Sequence, residues 1–120
     1  MEELIDPRGR IAGLDSARTF NAAWPGSPDR TVAGILSNGK PNVDALLEKL
    51  GQTLKSNSAG ISCVLVKPGP TTPAGEERIA QLAASSNLVI TGVCDGGTAT
   101  SWGVHDALQL AGRGIPVVLV

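Results

Sequence analysis

The chain has 120 residues, enough for one domain with a single hydrophobic core and too few for two. Hydrophobic residues make up 42% and charged residues 18%, the balance of a soluble globular protein, and with aromatics at 2% the core must be built from Val, Ile, Leu and Ala. A net charge of −1 with no cluster of Lys and Arg argues against a nucleic-acid partner, and no apolar run nears the roughly 20 residues that span a bilayer.

The opening MEELIDPRGR carries acids and no apolar h-region, unlike a secretory signal. Two cysteines without such a signal fit a reducing, cytoplasmic setting with free thiols. Residues 1–30 read as an irregular arm, with at best one short helix over 14–23, ahead of an α/β domain over 31–120. Pro7 and Gly9 break the arm early, and AWPGSPDR is a loop by its Pro, Gly and Ser content. The arm serves as a strap over a hydrophobic edge, or it brings Arg8 or Arg10 over the site to pair with an anion.

TVAGILS (31–37) is a near-continuous apolar run, as expected of a strand covered on both faces. NGKPN breaks it, with Asn42 as a candidate N-cap. Val43, Leu46, Leu47, Leu50 and Leu54 then fall at helical spacing and define an amphipathic helix that ends in SNSAG. ISCVLVK (61–67) is the second strand. After a proline-rich loop, Thr72 and Pro73 look like an N-cap and first helical residue, with Ile79, Leu82 and Ala83 as the inner face. The third strand is 88–93. The helix after it is expected to bury Val104, Ala107, Leu108 and Ala111, and IPVVLV (115–120) is the fourth strand.

Three consecutive β-α-β units predict a parallel sheet with right-handed crossovers, a Rossmann-like or flavodoxin-like three-layer domain of strand order 2-1-3-4 with helices on both faces. In such sheets ligands bind at the carboxyl ends of the strands, at the point where strand order reverses. The loops meeting there are SNGKPN (37–42) and CDGGTATSW (94–102), the most polar glycine-bearing turns in the chain.

Cys94 sits where the third strand gives way to the turn, near a helix N-terminus and with His105 further along, two features that favour a thiolate. The structural alternative is a small buried hydrophobe. Cys63 reads as core, and with a strand between them the two thiols are out of disulfide reach. His105 shares a helix face with Ser101 and is a candidate proton carrier, or a satisfied structural histidine. Asp106 projects about 100° away from it on a helix, so an Asp–His pair is not implied. Asp95 caps the turn or orients a ligand. Gly96 and Gly97 permit positive φ and a close backbone approach. Thr98, Thr100 and Ser101 compete for the N-cap, which leaves one or two hydroxyls for a substrate. Asn38, Gly39 and Lys40 on the facing loop suit a carboxylate or phosphate, or are a solvated turn. There is no Walker loop or GxGxxG fingerprint, and one histidine without a CxxC argues against a metal site, so no cofactor is expected.

The segments LIDPRGR (4–10), SNGKPN (37–42), VKPGPTTPA (66–74) and GVCDGGTATSWGVHDALQLAGRGIPVVLV (92–120) resemble the UGSC-like family, named for a selenocysteine- or cysteine-bearing turn in a small α/β domain. The resemblance spans nearly the whole chain and implies a Rossmann-like fold with that turn, Trp102 included, as the site. The family turn reads roughly GD(C/U)GSCTSW. At the matching positions this chain has Gly96 and Ala99 in place of the two redox residues, and Cys94 where the family has glycine, so a dithiol or selenol mechanism does not carry over. Asp95, Thr100, Ser101, Trp102, His105 and Asp106 do match. Family members usually continue past the fourth strand, whereas this sequence stops at Val120, as a short member, a trimmed chain or one subunit of an assembly would.

The functional expectation is a small-molecule enzyme acting on a small anionic substrate by addition, elimination or hydrolysis, with Cys94 as nucleophile or acid/base, His105 as proton carrier and the turn's N–H groups holding the anion. The alternatives are a non-catalytic, site-completing subunit and a single-cysteine redox protein. An uncovered VVLV edge predicts a homo- or hetero-oligomer under either of the first two.

Overall fold

The computed structural model of the chain describes residues 22–120. Arg8, Arg10 and nearly all of the helix expected over 14–23 lie outside the described residues. A 3-10 turn at Pro28–Arg30 leads into β1 (Val32–Ser37), followed by α1 (Val43–Ser56), β2 (Gly60–Val66), α2 (Glu76–Ser85), β3 (Leu88–Gly92), α3 (Gly97–Ala111) and β4 (Val117–Leu119). The strands form one parallel sheet in the order β2-β1-β3-β4. This is the α/β fold and strand order expected from the sequence.

The layers follow from right-handed crossovers. The chain moves one way from β1 to β2 and the other way from β2 to β3 to β4, so α1 covers one face and α2 and α3 the other. Ile35, Val43, Leu47 and Ile90 pack on the α1 side. Leu36, Ala74, Ile79, Leu82, Val89 and Leu110 pack on the α2/α3 side. Each fully buried aliphatic side chain of this kind contributes about 1.5–3 kcal/mol. Gly34 marks the tightest approach between layers: a Cβ there would lie 2.5 Å from Ser86 Oγ and 2.7 Å from Leu82 Cδ2. The register slips by one residue at this point, between Ala33 and Gly34.

Four local expectations are corrected. Leu46 is half exposed, because a stripe centred on Val43 and Leu47 suffices to meet β1. Asn42 precedes α1 but adopts a left-handed conformation and makes no side-chain cap. Helix α2 starts at Glu76 after Gly75, not at Pro73, because Thr72 donates its hydroxyl to the Gly69 carbonyl and closes a local turn. Helix α3 buries Ala99, Gly103, Asp106 and Leu110, while Val104 and Leu108 are exposed. Both stripes are helically periodic. The one that wins carries small residues, which let α3 approach the sheet, and an aspartate with a buried partner. Among the described residues no helix is long and apolar enough to cross a membrane.

Candidate functional site

The carboxyl ends of β1 and β3 lie side by side, and the polar loops that leave them are tied together. Asn38 is buried; its backbone N–H donates to the Gly92 carbonyl at 2.9 Å and its side-chain amide donates to the Val93 carbonyl at 2.7 Å. Lys40 forms an ion pair with Asp95 across the same gap. The hydrogen bond from Lys40 holds the Asp95 carboxyl below its usual range. Gly39 has a φ of +73°, so the residue that turns this loop back toward β3 is the one that needs a glycine. Ser37 donates to Asp44 at 2.5 Å and accepts from the Gly39 N–H, which fixes the loop to the first turn of α1.

A groove of about 350 Å³ lies against this junction, walled by Lys40, Pro41, Val43, Leu46, Val93 and Asp95. That is room for a small molecule. A larger groove, about 530 Å³, runs between α1 and the open edge of β2 along Ile61, Val64 and Val66, away from the turn.

The turn itself is arranged differently from expectation. Gly96 is the residue before α3, with extended backbone, and neither it nor Gly97 has positive φ. None of Thr98, Thr100 or Ser101 caps the helix: Ser101 donates back to the Gly97 carbonyl at 2.8 Å, and the Thr100 backbone N–H donates to the Gly96 carbonyl. Glycine at 96 and 97 leaves open space beside the first backbone N–H groups of α3.

Side chains alternate along the strand exit. Val93 and Asp95 face the α1-side groove, and Cys94 faces α3. There the thiol fills the space above Gly103, where a Cβ would come within 2.6 Å of Sγ. Burial pushes the Cys94 thiol up; Lys67 pulls it down, Asp95 pushes it up and Lys40 pulls it down, with burial the largest influence. Burial thus works against the thiolate that a place near a helix N-terminus favours. Both cysteines are free.

His105 lies two residues beyond Gly103, about 200° further round the helix. It meets Trp102 edge to face, with ring centroids 5.2 Å apart, and lines a separate hollow between α2 and α3 with Pro73, Gly75, Glu76 and Gln109. Its Nδ1 lies 3.3 Å from Asp106 Oδ1, so the Asp–His contact that helical spacing alone did not imply is present. The structure thus brings Asn38, Lys40 and Asp95 together, sets Cys94 on the other side of the same turn, and turns His105 toward α2.

One pairing escaped the sequence reading. Lys67, the first residue after β2, extends to Asp106 on α3, with Nζ to Oδ2 at 2.7 Å and side chains only 2% and 1% exposed. Asp106 Oδ1 also accepts the Ala74 N–H at 3.0 Å. A lysine that ends a strand at the ligand-binding edge of the sheet, and an aspartate in phase with Ala99, Gly103 and Leu110, were the available signals. Among the described residues no group of three or more His, Cys, Asp and Glu is placed to hold a metal ion.

Neither a curated protein nor a solved structure matches the chain. The family comparison does find a match, covering residues 3–120, and on that span the chain belongs to the UGSC family.

Proposed function

We propose that this UGSC-family chain is a cytoplasmic small-molecule enzyme that binds a small carboxylate- or phosphate-bearing substrate between the 37–42 and 94–102 loops. The observation that carries this reading is the Lys40–Asp95 bridge over a groove at the switch point, next to the uncapped start of α3. An incoming anion takes Lys40 as its counter-charge and draws on backbone N–H groups at 96–98. Asp95 is then released from the cation that depresses its pKa and becomes a stronger base beside the bound molecule. Cys94, protonated at rest, is the acid on the opposite side of the turn. A base and an acid flanking one turn suit addition, elimination or hydrolysis at an activated carbon better than hydride transfer.

The second reading, a subunit that completes a partner's site, is favoured by the separation of Cys94 from His105 and by the raised thiol pKa. Exposed aliphatic side chains at both sheet edges, Val64 and Val66 on β2 and Leu119 and Val120 at β4, support an oligomeric working form.

The experiment is site-mapped iodoacetamide labelling at neutral pH with and without saturating phosphate or malonate. The enzyme reading expects the anion to change the labelling rate of Cys94 and leave that of Cys63 unchanged. Equal rates at both cysteines with and without anion would move the assignment to the site-completing subunit.

A further inference from the structure

The mechanism above makes no use of the most buried charges among the described residues. Lys67 and Asp106 are sealed between the end of β2 and the inner stripe of α3, and a buried ion pair is weak evidence for stability, since apolar residues of similar volume often serve as well. The pair's location supplies another reason for it. Gly103 and Asp106 are three residues apart on α3 and share its buried stripe, and neighbours at that spacing lie about 5–6 Å apart. Cys94 Sγ rests on the first and Lys67 Nζ on the second. Lys67 leaves β2 beside the end of β1, where its backbone N–H donates to the Ser37 carbonyl, and its side chain reaches α3.

We infer that Lys67 is the polar partner of Cys94, a fixed cation that stabilises the thiolate left when Cys94, as the acid of the proposed reaction, gives its proton to the substrate (or to water when none is bound), and that Asp106 is the positioning residue that keeps this ammonium in place. The inference rests on the proposed role of the Cys94 turn and assigns to Lys67 the part that the sequence suggested for His105. Asp106 suits its part because its second oxygen is occupied by the Ala74 N–H and faces His105, so the carboxylate is anchored at both ends. The surroundings of Cys94 support the assignment. From the end of β2 comes Lys67, from the β1–α1 loop Lys40, and from its own turn Asp95, while β4 contributes only the aliphatic Leu119 and Val120. Burial raises the thiol's pKa, and Lys67 is the first of the charges that act against that rise.

The test is the pH dependence of Cys94 alkylation, without any added anion and with Cys63 as internal reference. Replacing the pair by apolar residues, Lys67→Met with Asp106→Leu, avoids leaving one buried charge unpaired. The expected result, in a variant whose circular dichroism matches wild type, is a midpoint moved to higher pH and Cys94 labelling at neutral pH slowed about threefold or more relative to Cys63, half a pKa unit or more. An unchanged profile in the folded variant would overturn the assignment. A second measurement needs no change at the pair: the 13C signal of the Lys67 ε-carbon should move with the ionisation of Cys94 and stay flat over the same range in Cys94→Ser. A flat signal in wild type would overturn it equally. Because no anion is present, these outcomes are independent of whether the groove binds one.

Discussion

Cys94 packs over Gly103 with no room for a Cβ there, and each constrains the other. Gly103→Ala places a methyl group within van der Waals overlap of Sγ, against a sheet that has little room to shift. The expected cost is about 1–3 kcal/mol in urea denaturation, mostly recovered when Cys94→Ala is added. A single substitution as costly as the pair would separate the two residues. The thiol's protonation also has a sign. A folded-state pKa above the unfolded value means that the folded chain holds its proton more tightly, so this group's contribution to stability is lost as pH rises through the ordinary thiol range toward the raised value. Labelling of Cys94 should accordingly be slow at neutral pH and climb at pH values above those at which an unhindered thiol has already levelled off. Asp95 runs the opposite way: its carboxyl is depressed by Lys40, so the bridge is present above the ordinary carboxylate range and is lost as pH falls through the depressed value. Being largely exposed, that bridge contributes little to stability, and its opening is best followed by NMR of the Asp95 carboxyl carbon.

At the scale of elements, the Lys67–Asp106 pair fastens three segments: the end of β2, the loop before α2 through Ala74, and the middle of α3. Arg78 reinforces the same loop by donating to the Val66 and Ala74 carbonyls. Removing one partner strands the other, so Asp106→Ala should cost about 3–5 kcal/mol in chemical denaturation, while a neutral double substitution should cost far less. Equal losses would show that packing rather than charge decides the site. This element explains where the sequence was legible and where it was not. The apolar runs of β1 and β3 have no alternative to a doubly covered strand, and Val43 and Leu47 leave α1 a single inner face. Helix α3 offered two periodic stripes, 104/107/108/111 and 99/103/106/110. Hydrophobicity favoured the first. The second wins because Gly103 lets the helix close on Cys94 and because Lys67, one crossover away, neutralises Asp106. A pairing between residues 39 positions apart leaves no local trace, so the sequence placed Asp106 on a different side of the helix from His105 and gave it no partner.

For the molecule as a whole, strand order determines which loops meet. Placing β1 beside β3 brings 37–42 against 94–102, and that convergence followed from three β-α-β units set in the order usual for doubly wound sheets. The division of the turn into two sides did not. It depends on side-chain alternation at the exit of β3, which sends Asp95 to the α1-side groove and Cys94 to α3, and on the phase of α3, which turns His105 away. The same order leaves β2 and β4 as edges, with Val64 and Val66 exposed on β2. Val64→Lys should therefore lower the mean mass measured by light scattering at high protein concentration, whereas a wild-type chain monomeric at every concentration would remove the oligomer from the proposal. The central claim is that a small anion binds between the two loops by taking Lys40 from Asp95. Its most direct test is a 1H–15N NMR titration with phosphate and with malonate, in wild type and in Lys40→Met. The account predicts saturable shifts at Gly39, Lys40, Gly96 and Gly97 in wild type and their loss in the variant; shifts that fail to saturate, or that persist without Lys40, would contradict it.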